Sequence, residues 1–227
     1  MVVSSSIVEG SLYFVPMPVK FASEQLVEAA IRLVASGGPD AAGATAVARA
    51  VGAPSGSVYH RFATRRDLLA AAWLSPVRDF QDGFLPFLTT DDDTAGDPVA
   101  AGVAAARHVV EWSARNPQAA TVLARYGRAD LVADDCAPAI LAEADELDVR
   151  LNDALTQFIG RFPAADRARI LMAVVDAPLA LVRRHLAAAG VPTVAVELAG
   201  EIAATLLSGH SGDQGDELSR GGREQQA

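Results

Sequence analysis

The chain is short of the features that place a protein outside the cytosol. Its 227 residues include one cysteine, Cys136, which excludes an internal disulfide and is typical of a reducing compartment. No apolar run reaches the roughly 20 residues of a membrane span. The first residues lack the early positive charge of a signal peptide. We therefore expect a cytoplasmic protein with no membrane segment, in which residues 1–20 are a disordered arm.

Patterns of β-structure, metal sites and enzymes are also scarce. Valine and isoleucine never alternate with polar residues over a strand length, whereas hydrophobic residues, many of them alanine, make up 51% of the chain. His185 and His210 have no cysteine or carboxylate at metal-site spacing, and no phosphate-binding glycine loop or nucleophile motif stands out. The sequence thus predicts an all-α protein with no metal, no cofactor and no enzymatic activity.

Apolar residues recur at helical spacing in segments that glycine and proline separate. Thr64 and Asp67 have the spacing of a capping box, which predicts the start of a long helix. We expect Pro76 to kink or interrupt that helix and Pro178 to interrupt a later one. The predicted helices are 23–36 with Ser23 as N-cap, 44–51, 55–62, the long helix after Thr64, 98–115 with Asp97 as N-cap, 117–126, 138–159, 164–189 and 193–207.

Composition divides the chain into parts. Residues 89–98 are acidic and rich in turn-forming residues, which is typical of a linker. The glycine-rich, polar residues 209–227 are predicted to be a disordered tail. Between the two ends we expect a small N-terminal helical domain at residues 21–68 and a larger helical domain at residues 69–208.

The most informative segment is residues 47–69, which reads as two short helices joined by a tight turn at Gly52. Three small residues open the second helix and would let it approach a DNA backbone closely. A helix-turn-helix places its second helix in the major groove of DNA. The side chains that this arrangement turns outward are Tyr59, His60 and Arg61.

Charge is distributed unevenly along the chain. Residues 41–66 carry +4, whereas the whole chain carries −9, so the remainder carries −13. Because salt screens charge beyond roughly 8–10 Å, a distant acidic body weakens a basic tip only modestly. The arginines of this segment are Arg49, Arg61, Arg65 and Arg66.

Residues 26–69 resemble the TetR-type repressor family. The resemblance rests on the periodicity of the first helix, Val47-Ala48, Gly52, the string SGSVYHRF, and Thr64-Arg65 with Leu68-Leu69. It implies an all-α homodimer with an N-terminal three-helix DNA-binding domain. It also implies a C-terminal helical bundle that binds a small effector and pairs through its last two long helices, residues 164–189 and 193–207.

The resemblance further implies which residues meet DNA. Thr45 stands in for a Thr or Ser that the family often has where this chain has Gly43. Arg65 stands where the family often has lysine, and it can still bind a phosphate. The implied contacts are Ser55, Gly56, Ser57, Tyr59, His60 and Arg65, to which the sequence adds Thr45 and Arg61.

Large side chains of the C-terminal domain are candidates for an effector pocket, although core packing is the alternative role for each. They are Phe84, Trp112, Tyr126, Phe158 and Met172.

The sequence thus favours a ligand-responsive transcriptional repressor that binds a palindromic operator in double-stranded DNA as a homodimer. One alternative is an enzyme that uses the C-terminal cavity, for which no cluster of titratable residues is visible. Another is a helical protein-interaction module or small-molecule-binding protein that does not bind DNA. Retention on DNA and its sensitivity to Arg65→Ala distinguish these alternatives from the repressor.

Overall fold

The computed structural model describes residues 23–89, 96–162, 167–186 and 190–209, and these residues form helices without a β-strand. This confirms the predicted fold class. None of the described helices is both long and apolar enough to cross a membrane. In chain order the helices are α1 (Ser23–Gly37), α2 (Ala44–Val51), α3 (Gly56–Tyr59), α4 (Arg65–Leu88), α5 (Pro98–Arg115), α6 (Pro117–Arg125), α7 (Arg128–Leu131), α8 (Pro138–Gly160), α9 (Arg167–Leu171), α10 (Ala177–Leu186) and α11 (Thr193–Ser208). The predicted arm at 1–20, linker residues 90–95 and tail residues 210–227 lie outside the described part.

The helix-turn-helix forms as predicted, but its second helix is shorter than expected. α2 has the predicted bounds and ends at Gly52, whose φ of 71° is a left-handed conformation that glycine adopts readily. α3 spans only Gly56–Tyr59 instead of residues 55–62. After Tyr59 the chain makes one further turn, in which the amides of Arg61 and Phe62 both bond to the carbonyl of Val58, and it is extended at Thr64 (φ −129°, ψ 162°), the N-cap of α4.

α4 begins at the predicted capping box. The hydroxyl oxygen of Thr64 accepts a hydrogen bond from the amide of Asp67 at 3.0 Å, and the carboxylate of Asp67 accepts one from the amide of Thr64 at 3.0 Å. The helix then continues to Leu88 through Pro76 and Pro86. Pro76 therefore does not interrupt the long helix, which was one of the two outcomes expected there.

At Pro178 the irregularity is a π-helical turn at Met172–Asp176, between α9 and α10. Proline has no N–H group, and its ring collides with the carbonyl four residues earlier in a regular helix. In the π turn the amide of Ala177 bonds to the carbonyl of Met172, five residues earlier. This wider spacing leaves room for the proline ring at the start of α10.

The two predicted N-caps have different outcomes. Asp97 caps α5, since its Oδ1 accepts a hydrogen bond from the amide of Val99 at 2.9 Å. Ser23 is instead the first residue of α1, and its hydroxyl accepts a hydrogen bond from Nη1 of Arg61 at 2.7 Å. Two one-turn elements, a 3-10 turn at Pro39–Ala41 and α7, are too short for a periodicity signal.

Two hydrophobic cores share α4. The first core packs α1–α3 and the N-terminal half of α4 against α6, α7 and the start of α8. The second core packs the C-terminal half of α4 against α5, the end of α8 and α9–α11. α5 and α11 approach closely at Gly102, where an added Cβ would lie 2.3 Å from the side chain of Leu207. α4 is therefore the element that connects the two cores.

A histidine lies among the aromatic rings at the edge of the second core. The ring centroid of His108 lies 5.7 Å from those of Phe80 and Phe87 and 6.3 Å from that of Phe84. Its Nε2 is buried without a hydrogen-bond partner among the described residues. Burial lowers the pKa of His108, because the imidazolium form would lose its hydration. The fold thus favours the neutral imidazole.

Replacing this histidine should weaken the pH dependence of stability. The pKa of His108 is lower in the folded state than its usual value of 6.5, so the unfolded chain takes up the proton more readily as the pH falls. The contribution of neutral His108 to the free energy of unfolding is therefore complete above pH 6.5 and is lost as the pH falls through the folded-state pKa. We expect His108→Leu to lose less stability than the wild type between about pH 7.5 and about pH 5, around the ordinary histidine range. Urea denaturation at both pH values measures the difference.

The exposed His60 provides the control, because His60→Leu makes the same substitution outside the second core. Identical pH profiles for His108→Leu and the wild type would contradict this account of the second core.

Candidate nucleic-acid interface

The helix-turn-helix is held together from its inner side. Val47 and Ala48 of α2 and Val58 of α3 are buried in the first core. The outer side is polar and faces solvent. Exposed on it are Thr45, Ser55, Gly56, Tyr59, His60 and Arg65, while Ser57 is partly buried. We call these seven of the eight predicted contact residues the tip.

Tyr59 is the most prominent side chain of the tip. It is 60% exposed although its ring is large and apolar. A phenol in this position can pack against a sugar and donate its hydroxyl to a phosphate or to a base edge. His60 follows it in the chain and is also exposed. Together they give the end of α3 both apolar surface and hydrogen-bonding groups.

Arg65 has a structural role as well as an exposed position. Its Nη2 donates to the carbonyl of Pro39 at 2.7 Å and to Oδ1 of Asp40 at 3.0 Å. These bonds tie the first residue of α4 to the 3-10 turn before α2. A guanidinium has five N–H groups, so Arg65 retains donors that can reach a phosphate. The Asp40 carboxylate is fully exposed, and its pairing with Arg65 contributes little to stability.

Two further arginines near the tip are engaged with other parts of the protein. Arg61 is partly buried and turns towards α1, where it donates to the hydroxyl of Ser23. Arg66 pairs with Asp135 in the connection between α7 and α8, and both side chains are mostly exposed. The carboxylate of Asp135 raises the pKa of Arg66, chiefly through their hydrogen bond. The predicted contact residue Arg61 is thus partly buried and directed towards Ser23 of α1.

The five predicted pocket residues do not converge on one cavity. Phe84 and Trp112 both contact Phe80, with ring centroids 5.1 and 5.3 Å from it. Nε1 of Trp112 donates to Oδ2 of Asp79 at 2.6 Å. Phe158 also belongs to the second core, but its ring packs edge-on against Phe162.

The other two residues lie elsewhere. Tyr126 packs against the first core, and its carbonyl accepts a hydrogen bond from Nε1 of Trp73 at 3.1 Å. Met172 is 46% exposed on the surface. The described structure thus holds Phe84, Trp112 and Phe158 in or beside the second core and places Tyr126 and Met172 apart from them.

A groove of about 640 Å³ runs between α1, α4 and the start of α8, and none of the predicted pocket residues lines it. Val27, Leu74 and Ile140 contribute apolar surface, and Arg78 and Glu143, which form an ion pair, also line the groove. The sequence carries no signal for this groove, because its walls come from segments that are distant in the chain.

The comparisons with known proteins concern first the N-terminal domain. Residues 26–72 match the family model for bacterial regulatory proteins of the tetR family. This range contains α2, α3 and all the residues of the tip. No curated protein matches the chain.

Solved structures share the fold of most of the chain at low sequence identity. A transcriptional regulator from Rhodococcus sp. Rha1 is 20% identical, covers 82% of this chain and 96% of its own, and has a TM-score of 0.63. FadR from Bacillus subtilis, in complex with stearoyl-CoA, is 14% identical over 83% of this chain and 99% of its own, with a TM-score of 0.60. The ketosteroid transcriptional regulator KstR2 of Mycobacterium tuberculosis is 18% identical over 82% and 93%, with a TM-score of 0.57.

Two glycines of the interface form a matched pair for testing the turn. An added Cβ meets no atom within 4 Å at Gly52 or Gly56, but only Gly52 has a positive φ, 71°. We expect Gly52→Ala to lower the free energy of unfolding by about 1–2 kcal/mol, the cost of the left-handed conformation for alanine. Gly56→Ala should leave it unchanged or raise it by about 0.5 kcal/mol. Urea denaturation followed by circular dichroism measures both, and equal losses would contradict the assigned turn.

Proposed function

We propose that this chain, whose N-terminal domain belongs to the TetR family of bacterial regulatory proteins, is a ligand-responsive DNA-binding transcriptional regulator. The observation that carries the proposal is the family match at residues 26–72, over helices that expose the polar tip. The fold shared with transcriptional regulators over 82% of the chain supports the accompanying helical domain. We propose domain bounds of 21–68 for DNA binding and 69–208 for effector binding and dimerisation.

In the proposed complex, α3 lies in the major groove and α4 begins beside the backbone. The hydroxyl groups of the tip donate to phosphates, and the absence of a side chain at Gly56 allows close approach. Tyr59 and His60 are placed to reach base edges or sugars. Arg61 supports the surface from inside by holding the chain after α3 against Ser23. The residues proposed to contact DNA are Thr45, Ser55, Gly56, Ser57, Tyr59, His60 and Arg65.

We propose that two copies pair through α10 and α11. Val194 and Leu198 of α11 are 64% and 41% exposed, and Met172, just before α10, is 46% exposed. Packing against the same helices of a second copy would bury these side chains in a two-fold symmetric interface. Such a dimer presents two α3 helices to successive major grooves, about 34–36 Å apart, so the operator is an inverted repeat.

The proposed effector is a small molecule that binds in the larger domain. The FadR structure from Bacillus subtilis contains stearoyl-CoA, which supports an effector for this chain too. Phe84, Trp112 and Phe158 are the proposed lining between α4, α5 and α8. Tyr126 and Met172 would join them only after a rearrangement of the bundle.

Repression and its release follow from differential binding. An effector that prefers a dimer with wrongly spaced α3 helices shifts the population away from the DNA-bound form. We propose that the protein acts in the cytoplasm and catalyses no reaction, in keeping with the regulatory proteins of its family.

Removing the cation at position 65 should weaken DNA binding in a defined way. Fragments selected from genomic DNA of the source organism serve as the probe. We expect Arg65→Ala to reduce affinity for all bound fragments to a similar degree. It should also lower the slope of log affinity against log salt by about 1 per protomer, hence by about 2 for the bound dimer, because one phosphate per protomer is no longer neutralised. Fluorescence anisotropy at several salt concentrations measures both quantities.

Asp40→Asn is the matched control, since it removes the ion-pair partner of Arg65 and retains the arginine. It should bind DNA at least as tightly as the wild type, because one negative charge near the backbone is removed. Weakening by both variants would mean that Arg65 acts by holding the 3-10 turn rather than by contacting phosphate. A wild-type protein that binds no genomic fragment even at low salt would overturn the proposed function.

A charge in the proposed interface should separate the two copies. We expect Leu198→Arg to raise the dimer dissociation constant roughly tenfold or more, since it places a charge in a desolvated contact. Val149→Arg is the control, because Val149 is 57% exposed on α8, outside the proposed interface. Analytical ultracentrifugation measures the association. Equal effects of the two variants, or a monomeric wild type, would contradict the α10–α11 interface.

A further inference from the structure

One buried carboxylate joins the start of the DNA-binding surface to the larger domain. The side chain of Asp67 is 5% exposed. Its Oδ2 accepts hydrogen bonds from the amide of Thr64 at 3.0 Å and from the hydroxyl of Thr64 at 2.9 Å. Its Oδ1 accepts a third bond from the amide of Ala137 at 3.0 Å. Ala137 is 70 positions further along the chain, so this bond is purely tertiary.

The third bond satisfies the N–H of the residue that begins α8. Ala137 occupies the N-cap position of α8, and its side chain has no oxygen to accept from the first turn. Pro138 follows it at the first helical position and has no N–H group. The positive end of the α8 dipole therefore faces the carboxylate of Asp67. One side chain thus caps the beginning of α4 and anchors the beginning of α8.

The junction lies between two parts of the molecule, the tip and the second core. The first turn of α4 carries Arg65, whose bonds to Pro39 and Asp40 lead to the tip. α8 runs from the Asp67 contact to Ala154, Leu155 and Phe158 of the second core. A displacement of α8 in the second core would act on the Asp67–Ala137 bond at its other end.

We propose that Asp67 is a positioning residue that couples the orientation of α8 to the first turn of α4, and thereby to Arg65. The inference rests on the proposed function for its effect on DNA, but the coupling itself is a property of the fold. Because hydrogen bonds to a buried charge are short-ranged and directional, a shift of α8 either breaks the Ala137 bond or moves the carboxylate. Moving the carboxylate disturbs the two bonds that cap α4. The nearby Arg66–Asp135 pair is mostly exposed and transmits little.

Ala137→Pro isolates the tertiary bond. Ala137 has φ −54° and ψ 139°, which proline adopts, so the substitution removes the N–H donor without changing the sequence of α4, and the proline Cδ displaces the Asp67 carboxylate from Ala137. We expect the amides of Asp67 and Leu68 to exchange with solvent about fivefold to tenfold faster, in line with the loss of one net hydrogen bond. Hydrogen-exchange mass spectrometry of the full chain measures this in α4, where nothing has been substituted.

The reciprocal variant is Thr64→Val, which removes the hydroxyl at α4 and leaves Ala137 unchanged. Coupling between two sites is reciprocal, so the amide of Ala137 should then exchange faster by a similar factor. Ala139→Gly is the control for simple fraying, since Ala139 is exposed in the first turn of α8 and lies outside the Asp67 contact. It should speed exchange at the start of α8 and leave Asp67 unchanged. The coupling would be overturned if each substitution sped up exchange only in its own helix. It would also be overturned if Ala139→Gly sped up exchange at Asp67 as much as Ala137→Pro does.

DNA binding provides the second readout. For genomic fragments that the wild type binds, Ala137→Pro should weaken affinity about fivefold, the lower range of measured couplings. Unchanged affinity despite faster exchange at Asp67 would overturn the link to DNA. If the wild type binds no fragment, the proposed function fails, whereas the exchange experiment still decides the coupling. Asp67→Asn, which keeps the shape and removes the charge, should reproduce the exchange changes at both helices if Ala137→Pro does not fold.

Discussion

The structure depends on how the first turn of α4 is fixed. There the Asp67 carboxylate satisfies the amide and hydroxyl of Thr64 together with the amide of Ala137. A buried charge is tolerated when hydrogen bonds replace its lost hydration, and these three bonds serve that purpose. The ends of α4 and α8 therefore cannot separate without exposing or stranding a charge, which makes their junction more rigid than apolar packing alone would make it.

The same junction explains why the two halves of the molecule are not independent. α1–α3 share the first core with α6, α7 and the start of α8. A second tie joins α4 and α8 further along, where Nε2 of the buried Gln81 donates to the carbonyl of Leu147 at 3.0 Å. These two hydrogen bonds, at different positions along α4 and α8, resist sliding and rotation of one helix on the other. We therefore expect a change in the second core that displaces α8 to act on α4 as well.

The sequence predicts what local chemistry decides. Gly52, the Thr64–Asp67 capping box and Asp97-Pro98 each carry a signal within a few residues, and the structure confirms all three. It does not predict that α3 ends at Tyr59, where the chain continues as a turn whose amides at Arg61 and Phe62 share the carbonyl of Val58. The Asp67–Ala137 and Arg61–Ser23 bonds join residues far apart in the chain, so only the folded structure shows them. The predicted pocket residues scatter because aromatic character indicates burial without indicating which core a residue enters.

The distribution of charge suggests how such a protein would distinguish its operator from other DNA. Two of the four arginines at residues 41–66 are paired with carboxylates, Arg65 with Asp40 and Arg66 with Asp135, and the remainder of the chain is strongly acidic. Non-specific affinity for DNA comes mainly from phosphate neutralisation, so it would be weak here. The uncharged donors of the tip and the ring of Tyr59 act only at short range. Binding free energy would therefore depend on close fit, which a matching sequence provides and random DNA does not.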